Sequence, residues 1–174
     1  PTPDSFCDYV LDELGDAGRA RADADTRWWL ERFDGDVPVL ELPLDRPRPP
    51  ARTFASSRED LPLDPALVQG LRALGARHGA SLFATLFAAY GALLCRLGGQ
   101  SEVVVGVPAA GQADAGRRAL VGHCVQLLPI RLAVAPDAAV PELLADVRGR
   151  VLDAFEHQHC TFGLLLRKLQ LARD

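Results

Sequence analysis

Apolar residues recur three and four positions apart in several stretches of the chain, which is the spacing of one face of an α-helix. The most strongly patterned stretch follows Ser81, which can cap a helix, and ends at Gly98-Gly99. We expect this helix to be a core element. Its predicted buried residues are Leu82, Phe83, Leu86, Phe87, Tyr90, Leu93, Leu94 and Leu97.

Five further helices are predicted from weaker repeats of the same kind. Asp64 followed by Pro65 is a helix start, with a capping carboxylate and proline in the first turn. Two short helices are expected near the amino end. The five predicted segments are Phe6 to Leu14, Trp28 to Phe33, Pro65 to Leu74, Pro141 to Phe155 and, capped by Thr161, Phe162 to Leu169.

Two short apolar segments predict strands. The run from Val103 to Pro108 is continuously apolar, as in a strand buried on both faces. Val125 to Val134 predicts a second strand, in which Pro129 favours a bulge or an edge position. A third strand is a weaker expectation for Thr53 to Leu61. The proline-rich stretch from Val37 to Arg52 predicts an extended surface strap.

Helices alternate with continuous apolar strands, which indicates an α/β (α+β) layered sandwich with a central mixed sheet. The 174 residues are 48% apolar and 24% charged, so they predict one globular domain or a large piece of one. The net charge is −4 with both signs interspersed, which disfavours nucleic-acid binding. The apolar runs are shorter than a membrane span, and no signal-peptide pattern opens the chain. We therefore expect a cytoplasmic protein that does not bind membranes.

The cysteine and methionine content adds two expectations. The four cysteines are widely spaced, which favours reduced, structural thiols. The chain begins at Pro1 and contains no methionine, so we interpret it as a piece of a longer polypeptide.

Two common catalytic patterns do not occur in the sequence, which disfavours hydrolases and nucleotide-dependent enzymes. No serine lies in a G-x-S-x-G elbow, and the glycines near Gly111 and Gly116 lack the spacing of a phosphate-binding loop. Asp8, Glu13 and Asp16 fit the solvated face of the first helix better than a catalytic carboxylate pair. The polar cluster does not have zinc-ligand spacing and is better interpreted as hydrogen-bonded, partly buried side chains. Its members are His123, Cys124, His157, His159 and Cys160.

Eight segments, taken in order, resemble one family over nearly the whole chain. The resemblance is to condensation domains of nonribosomal peptide synthetases. One segment alone would be weak support, but the ordered set is specific. The segments are SFCDYVLDE (Ser5 to Glu13), TRWWLERF, LPLDRPRP, SLFATLFAAYGALLCRLGGQ, VVVGVPAAG, LVGHCVQLLPIR (Leu120 to Arg131), HQHCTFGLLLRKL and the closing ARD.

The resemblance implies one lobe of the two-lobed chloramphenicol acetyltransferase-like fold, with a substrate tunnel between the lobes. It implies that an amine on one carrier protein attacks a thioester on another, both held on phosphopantetheine arms, with no cofactor bound directly. Expected partners are the N-terminal lobe, the upstream and downstream peptidyl carrier proteins and an adjacent adenylation domain. The family's catalytic motif, H-H-x-x-x-D-G, does not occur in these 174 residues. We therefore expect a partial domain, residues 1–174, that lacks the N-terminal lobe and the family's final strands.

The resemblance also suggests which residues line the tunnel. Gln112 stands where many relatives have arginine, and Gln126 stands where asparagine is usual. His123-Cys124 replace commoner apolar residues, and His159 and Cys160 also depart from the family pattern. For these positions a purely structural role is equally compatible with the sequence. The expected lining is Gly106, Val107, Pro108, Gln112, Val121, His123 and Gln126.

Several functions stay open at the level of sequence. The leading hypothesis is an amide-forming acyltransferase domain, of which this piece alone is inactive because it lacks the proton-handling motif. The loop PAAGQADAG lacks the glutamate-rich segment of epimerisation domains. Heterocyclising domains differ in the histidine motif of the other lobe, so this chain does not distinguish them from condensing domains. A condensation-like module that only recruits a carrier protein or enzyme is the alternative. An unpaired sheet edge and an apolar lobe interface would favour self-association.

Overall fold

The computed structural model describes residues 3–49, 51, 53–111 and 116–170. Within these ranges helices and strands follow one another as the sequence pattern indicated. The elements are α1 (Phe6–Leu14), α2 (Asp16–Arg32), α3 (Pro65–Arg77), α4 (Leu82–Gly98), β1 (Glu102–Ala110), β2 (Val125–Ala133), α5 (Val140–Glu156) and α6 (Phe162–Leu169).

Short polar side chains cap the helices at the predicted residues. Asp64 accepts a hydrogen bond from Ala66 N at 2.7 Å, and Ser81 accepts one from Ala84 N at 3.1 Å. Each bond satisfies one of the backbone donors that a helix leaves unpaired at its first turn. Thr161 caps α6 in the same way. Gly99 closes α4 in the left-handed region, at φ 63°, where a side chain would be strained.

The second helix corrects a prediction. A short helix was expected around Trp28 to Phe33, but α2 spans 17 residues from Asp16. Its first half is rich in alanine and arginine, which favour helices without producing an apolar stripe. Gly18 allows this half to lie against the end of α1, since a Cβ there would stand 2.3 Å from the Glu13 carbonyl oxygen. Helical propensity and close packing therefore extend α2 where hydrophobic periodicity does not.

The two strands pair as a sheet, with β1 beside β2. Val134 N donates to Ser101 O, and Gly111 N donates to Cys124 O. Low residue numbers on one strand therefore face high numbers on the other, and the pairing is antiparallel. Asp4 and Leu120 add an isolated parallel bridge. The described helices together with this two-stranded sheet confirm the α/β class.

Burial along β1 differs from the prediction of a strand covered on both faces. Val107 and Ala109 are buried, whereas Gly106, Pro108 and Ala110 are exposed. Alternate residues point to opposite faces of a sheet, so the second half of β1 is covered on one face only. This part of the prediction is wrong, because a continuous apolar run does not by itself reveal which face is covered.

The buried face of α4 is also different from the predicted one. Phe87, Leu94 and Cys95 are buried together with several small residues of the same helix. Gly91 is required there, since a Cβ would stand 2.6 Å from Leu132 Cδ1. Small side chains on the buried face of α4 allow the helix to lie close to Leu132, and a stripe of large side chains stays exposed. The exposed stripe comprises Phe83, Leu86, Tyr90, Leu93 and Leu97.

The proline-rich strap has no regular secondary structure within residues 37–49, as expected. Gln100 holds part of it, donating to Val39 O at 2.8 Å and accepting from Glu41 N at 2.9 Å. The strand expected at Thr53 to Leu61 is wrong. This segment is exposed along its length and lies in neither strand of the sheet, so its backbone has no ladder to join.

Contacts divide the chain into two compact units. Unit 1 comprises Pro1–Pro38, Val104–Arg131 and Arg150–Asp174, and in it α2 packs against α1 and α6. Unit 2 comprises Val39–Val103 and Leu132–Gly149, and in it α3 packs against α4. Among the described helices none is long and apolar enough to cross a membrane alone. The pair α3 and α4 meets that length and composition test only when taken together, with a bend of 100°.

Candidate functional site

Unit 1 contains a cleft of about 780 Å³, a volume typical of small-molecule sites. Part of the lining comes from α1 and the start of α2. The rest comes from Gly111, Arg117 and Gln126 and from the residues between α5 and α6. Residues far apart in sequence therefore converge on one concave surface. The lining is Tyr9, Leu11, Asp12, Glu13, Gly15, Asp16, Ala17, Arg21, Gly111, Arg117, Gln126, Gln158 and His159.

Charged side chains at the cleft are arranged in pairs. Arg21 forms an ion pair with Glu13 at 3.1 Å, and Arg117 forms one with Asp12. Asp16 lines the same cleft and has no ion pair among the residues that the structure describes. Among the described lining residues, three carboxylates against two guanidinium groups leave one negative charge in excess. The cleft therefore favours neutral or cationic ligands over anions.

Two carboxamide side chains line the cleft. Gln158 lies between α5 and α6 and is only 8% exposed, whereas Gln126 on β2 is half-buried. No described residue gives the Gln158 amide a hydrogen bond, yet no polar side-chain atom in the described ranges is both fully buried and unpaired. The amide group of Gln158 must therefore reach the open space of the cleft. Gly111 also lines the cleft, and its backbone lies so close to Cys124 that a Cβ there would stand 2.8 Å from Cys124 O.

Behind the cleft, Asp25 of α2 organises the segment that carries Gln158. Its carboxylate accepts a hydrogen bond from His159 N at 2.9 Å and contacts His157 Nδ1 and His159 Nδ1 at 3.0 Å each. Trp29 Nε1 donates to His157 O at 2.7 Å, and the Trp28 ring stacks on the His157 ring. This network holds both residues that flank Gln158.

Burial raises the pKa of the Cys160 thiol above its ordinary value of 9.0. The nearby Asp25 carboxylate raises it further, and a hydrogen bond with Thr26 opposes the shift. Burial and the Glu102 carboxylate likewise raise the pKa of Cys95. Neither thiol has the lowered pKa of a nucleophilic cysteine. All four cysteines are free, and no group of His, Cys, Asp and Glu in the described ranges could hold a metal ion.

The predicted tunnel residues do not all lie at this cleft. Gln126 does, whereas Gly106 and Pro108 lie on the exposed face of β1 and Val107 is buried. Val121 and His123 are exposed in the segment before β2 and do not line the cleft. Gln112 lies outside the described residues. The structure therefore brings one of the predicted residues into the cleft.

The model of one protein family, described as "Condensation domain", matches residues 1–174. The chain belongs to the condensation-domain family. Four of the segments on which the resemblance depended meet at the cleft, through Tyr9 of α1, Gly111 after β1, Gln126 of β2 and Gln158 before α6. In this condensation-domain chain, residues from several of the segments that resemble the family therefore line one cleft.

Curated relatives are large synthetases. Tyrocidine synthase 3 of Brevibacillus parabrevis is 40% identical over 147 residues, which cover 84% of this chain and 2% of that protein. Surfactin synthase subunit 1 of Bacillus subtilis (strain 168) is 37% identical over 150 residues, covering 86% of this chain and 4% of that protein. This condensation-domain chain therefore spans only a small part of the length of the relatives it matches.

Solved structures show the same fold. The first condensation domain of the calcium-dependent antibiotic synthetase, in complex with a substrate analogue, is 25% identical with a TM-score of 0.75. That match covers 95% of this chain and 35% of the solved one. The X-domain from teicoplanin biosynthesis, in complex with OxyB, is 23% identical with a TM-score of 0.81, covering 96% and 36%. These similarities confirm the predicted acetyltransferase-like architecture.

Sequence reasoning missed the most informative residues of the site. Asp25, Trp28, Trp29 and Arg32 recur at helical spacing on α2, and this polar and aromatic stripe marks the face that meets His157. The stripe was not recognised, because α2 was expected to begin only at Trp28. Gln158 was noted as part of its segment but was not assigned to a site.

Proposed function

We propose that this chain is part of a condensation domain that forms amide bonds between a carrier-bound acyl or peptidyl donor and a carrier-bound aminoacyl acceptor. The family match over residues 1–174 carries this proposal. In the reaction the acceptor nitrogen attacks the donor carbonyl carbon, and the carbon–sulfur bond breaks. The sulfur leaves as a thiol with the proton that the nitrogen gives up, and an amide remains.

The chemistry divides between the two lobes of such a domain. Attack on a thioester needs proton handling at the amine or stabilisation of the tetrahedral oxyanion. Within the 174 residues, the family motif that handles the proton does not occur. What this chain contributes is orientation of the reactants, which lowers the barrier by holding them in reactive geometry.

The substrate tunnel belongs to this proposal. Gly106 and Pro108 share one exposed face of β1. Val121 and His123 are also exposed and come shortly before β2 in the sequence. We place them at the tunnel wall together with Gln126 and Gln112. Val107 is buried and supports the wall from behind.

The proposed setting follows from the same family. The carrier proteins would present both substrates on phosphopantetheine arms, with an adenylation domain and the N-terminal lobe as neighbours in the polypeptide. Four free thiols fit a reducing compartment, and we place the protein in the cytoplasm.

A reconstitution assay tests the proposal. The polypeptide in which this chain occurs is mixed with a donor-loaded and an acceptor-loaded carrier protein, and the amide product is measured by mass spectrometry. We expect product from that polypeptide and none above background from residues 1–174 alone. Product from residues 1–174 alone would contradict the division of labour between the lobes.

A second function is supported by one neighbour of the same fold. The X-domain from teicoplanin biosynthesis was solved in complex with another protein, OxyB, so this fold can serve as a binding surface for a partner. A recruiting module would bind a carrier protein or enzyme without forming product. The reconstitution assay separates the two functions, because only a condensing domain releases an amide.

A further inference from the structure

Gln100 is placed to hold the proline-rich strap against the end of α4. Gly99 ends that helix in the left-handed region, and the backbone N–H of Gln100 donates to Cys95 O at 2.9 Å. This bond belongs to the helix end and fixes the backbone from which the carboxamide extends. The side chain of Gln100 therefore starts from a rigid element of unit 2.

The carboxamide of Gln100 pairs with the strap as a neighbouring strand would. Its Nε2 donates to Val39 O at 2.8 Å, and its Oε1 accepts from Glu41 N at 2.9 Å. A rotated amide would place its own donor against the Glu41 N–H, so the two contacts also fix its orientation. Within residues 37–49, the described part of the strap has no hydrogen bond except these two, which we call the clasp.

Gly98 lets the strap lie directly on α4. A Cβ at this position would stand 2.7 Å from Glu41 O and 2.7 Å from Gln100 Oε1. Both atoms belong to residues of the clasp, so a side chain at position 98 would push these residues apart. Val39 and Glu41 are exposed and Leu40 is only half-buried, so little buried apolar surface supports the two hydrogen bonds.

We infer that the clasp is a conformational latch: when its two hydrogen bonds break, Val39–Leu44 detach from α4 while α3 and α4 stay folded. Val39 is the first residue of unit 2, so the closed clasp fixes the chain where it enters that unit. Pro43 has no N–H to give to a new partner, which favours a detached strap that stays extended. One side chain thus decides whether this part of the strap is fixed or free.

Native-state proteolysis measures the opening. Thermolysin cleaves on the amino side of large apolar residues and needs a locally unfolded chain, so cleavage of the Val39–Leu40 bond reports on the strap. The Thr53–Phe54 bond is the internal reference, because Phe54 is 83% exposed. The polypeptide that contains this chain is digested without denaturant, and mass spectrometry gives the initial rate at each bond.

Matched variants assign the opening to the clasp. Gln100→Leu removes both hydrogen bonds and should raise the Val39–Leu40 rate, relative to the reference bond, by about 5- to 100-fold. Gln100→Glu keeps the acceptor and loses the donor, so the rise should be about 2- to 10-fold. Gly98→Ala should also raise this rate, although alanine favours the helix. Gln69→Leu, at an exposed position of α3, should leave it unchanged.

Low concentrations of urea separate local opening from unfolding of the whole unit. Detachment of a short strap exposes little surface, so the Val39–Leu40 rate in Gln100→Leu should hardly depend on urea. A wild-type rate in Gln100→Leu or in Gly98→Ala would overturn the inference. Equal acceleration at bonds within α4, or a steep rise with urea, would overturn it as well. None of these outcomes bears on amide formation, which the reconstitution assay measures separately.

Discussion

Replacing Asp25 by alanine removes the carboxylate that joins α2 to the segment between α5 and α6. The side chain of Asp25 is 8% exposed and contacts one backbone N–H and two imidazole nitrogens. Without it, the His159 N–H loses its acceptor in a partly buried position. The change therefore tests whether this network stabilises unit 1.

The expected magnitude follows from these three contacts. A hydrogen bond to a charged group contributes about 1.5–3 kcal/mol, and this value applies to the backbone N–H. The imidazoles retain 28% and 20% exposure and can bond to water, so each loses about 1 kcal/mol or less. Removing a buried carboxylate also removes its desolvation cost. We expect a net loss of about 2–4 kcal/mol in the free energy of unfolding.

Urea denaturation monitored by tryptophan fluorescence measures this loss, since Trp28 and Trp29 lie beside the network. Asp25→Asn keeps the shape and one acceptor oxygen, so it should cost about half as much. Asp23→Ala on the exposed side of α2 should change stability by no more than about 0.5 kcal/mol. Equal losses at Asp23 and Asp25, or a loss below about 0.5 kcal/mol at Asp25, would refute the reasoning.

Three further predictions follow from the packing, the thiols and the exposed apolar stripe. Gly75→Ala should lower the free energy of unfolding by about 1–3 kcal/mol, because its Cβ would stand 2.8 Å from Ala80 O. Gly70→Ala, with open space around it on the same helix, should be neutral or stabilising in the same urea titration. The raised pKa of Cys160 stabilises the folded state fully below pH 9.0, and this contribution should disappear as pH rises through the folded-state pKa. Urea titrations from pH 8 to 11 should therefore show a smaller alkaline loss in Cys160→Ala, and an identical loss in both proteins would reject the assignment. Residues 1–174 alone should associate with increasing concentration in analytical ultracentrifugation, and Leu93→Lys in the exposed stripe should reduce that association.

The starts of α3, α4 and α6 were predictable because their capping signals are local. Ser81, Asp64 and Thr161 cap helices through bonds to residues two or three positions away, so the sequence alone contains the interaction. The face that a helix buries depends instead on what packs against it. In α4 the close approach of Leu132 to Gly91 selected a face of small residues that periodicity did not indicate.

The candidate site was less predictable than the fold, because it is assembled from distant segments. Gln126 was expected to line the substrate tunnel because its segment resembles the family, and it lies at the cleft. Gln158 is distinguished only by its burial and by the Asp25 network beside it. The contacts of that network span 132 and 134 positions of the sequence. No local sequence pattern indicates such a long-range contact. The position of Gln158 at the cleft became visible only with the structure.

The central claim is that this chain serves amide formation between two carrier-bound substrates. The most direct measurement is the rate of amide product release from the polypeptide that contains this chain, with both loaded carriers present. We predict amide product when both loaded carriers are present and none when either carrier is left unloaded. Absence of product with both carriers verified as loaded would contradict this claim and favour a recruiting module.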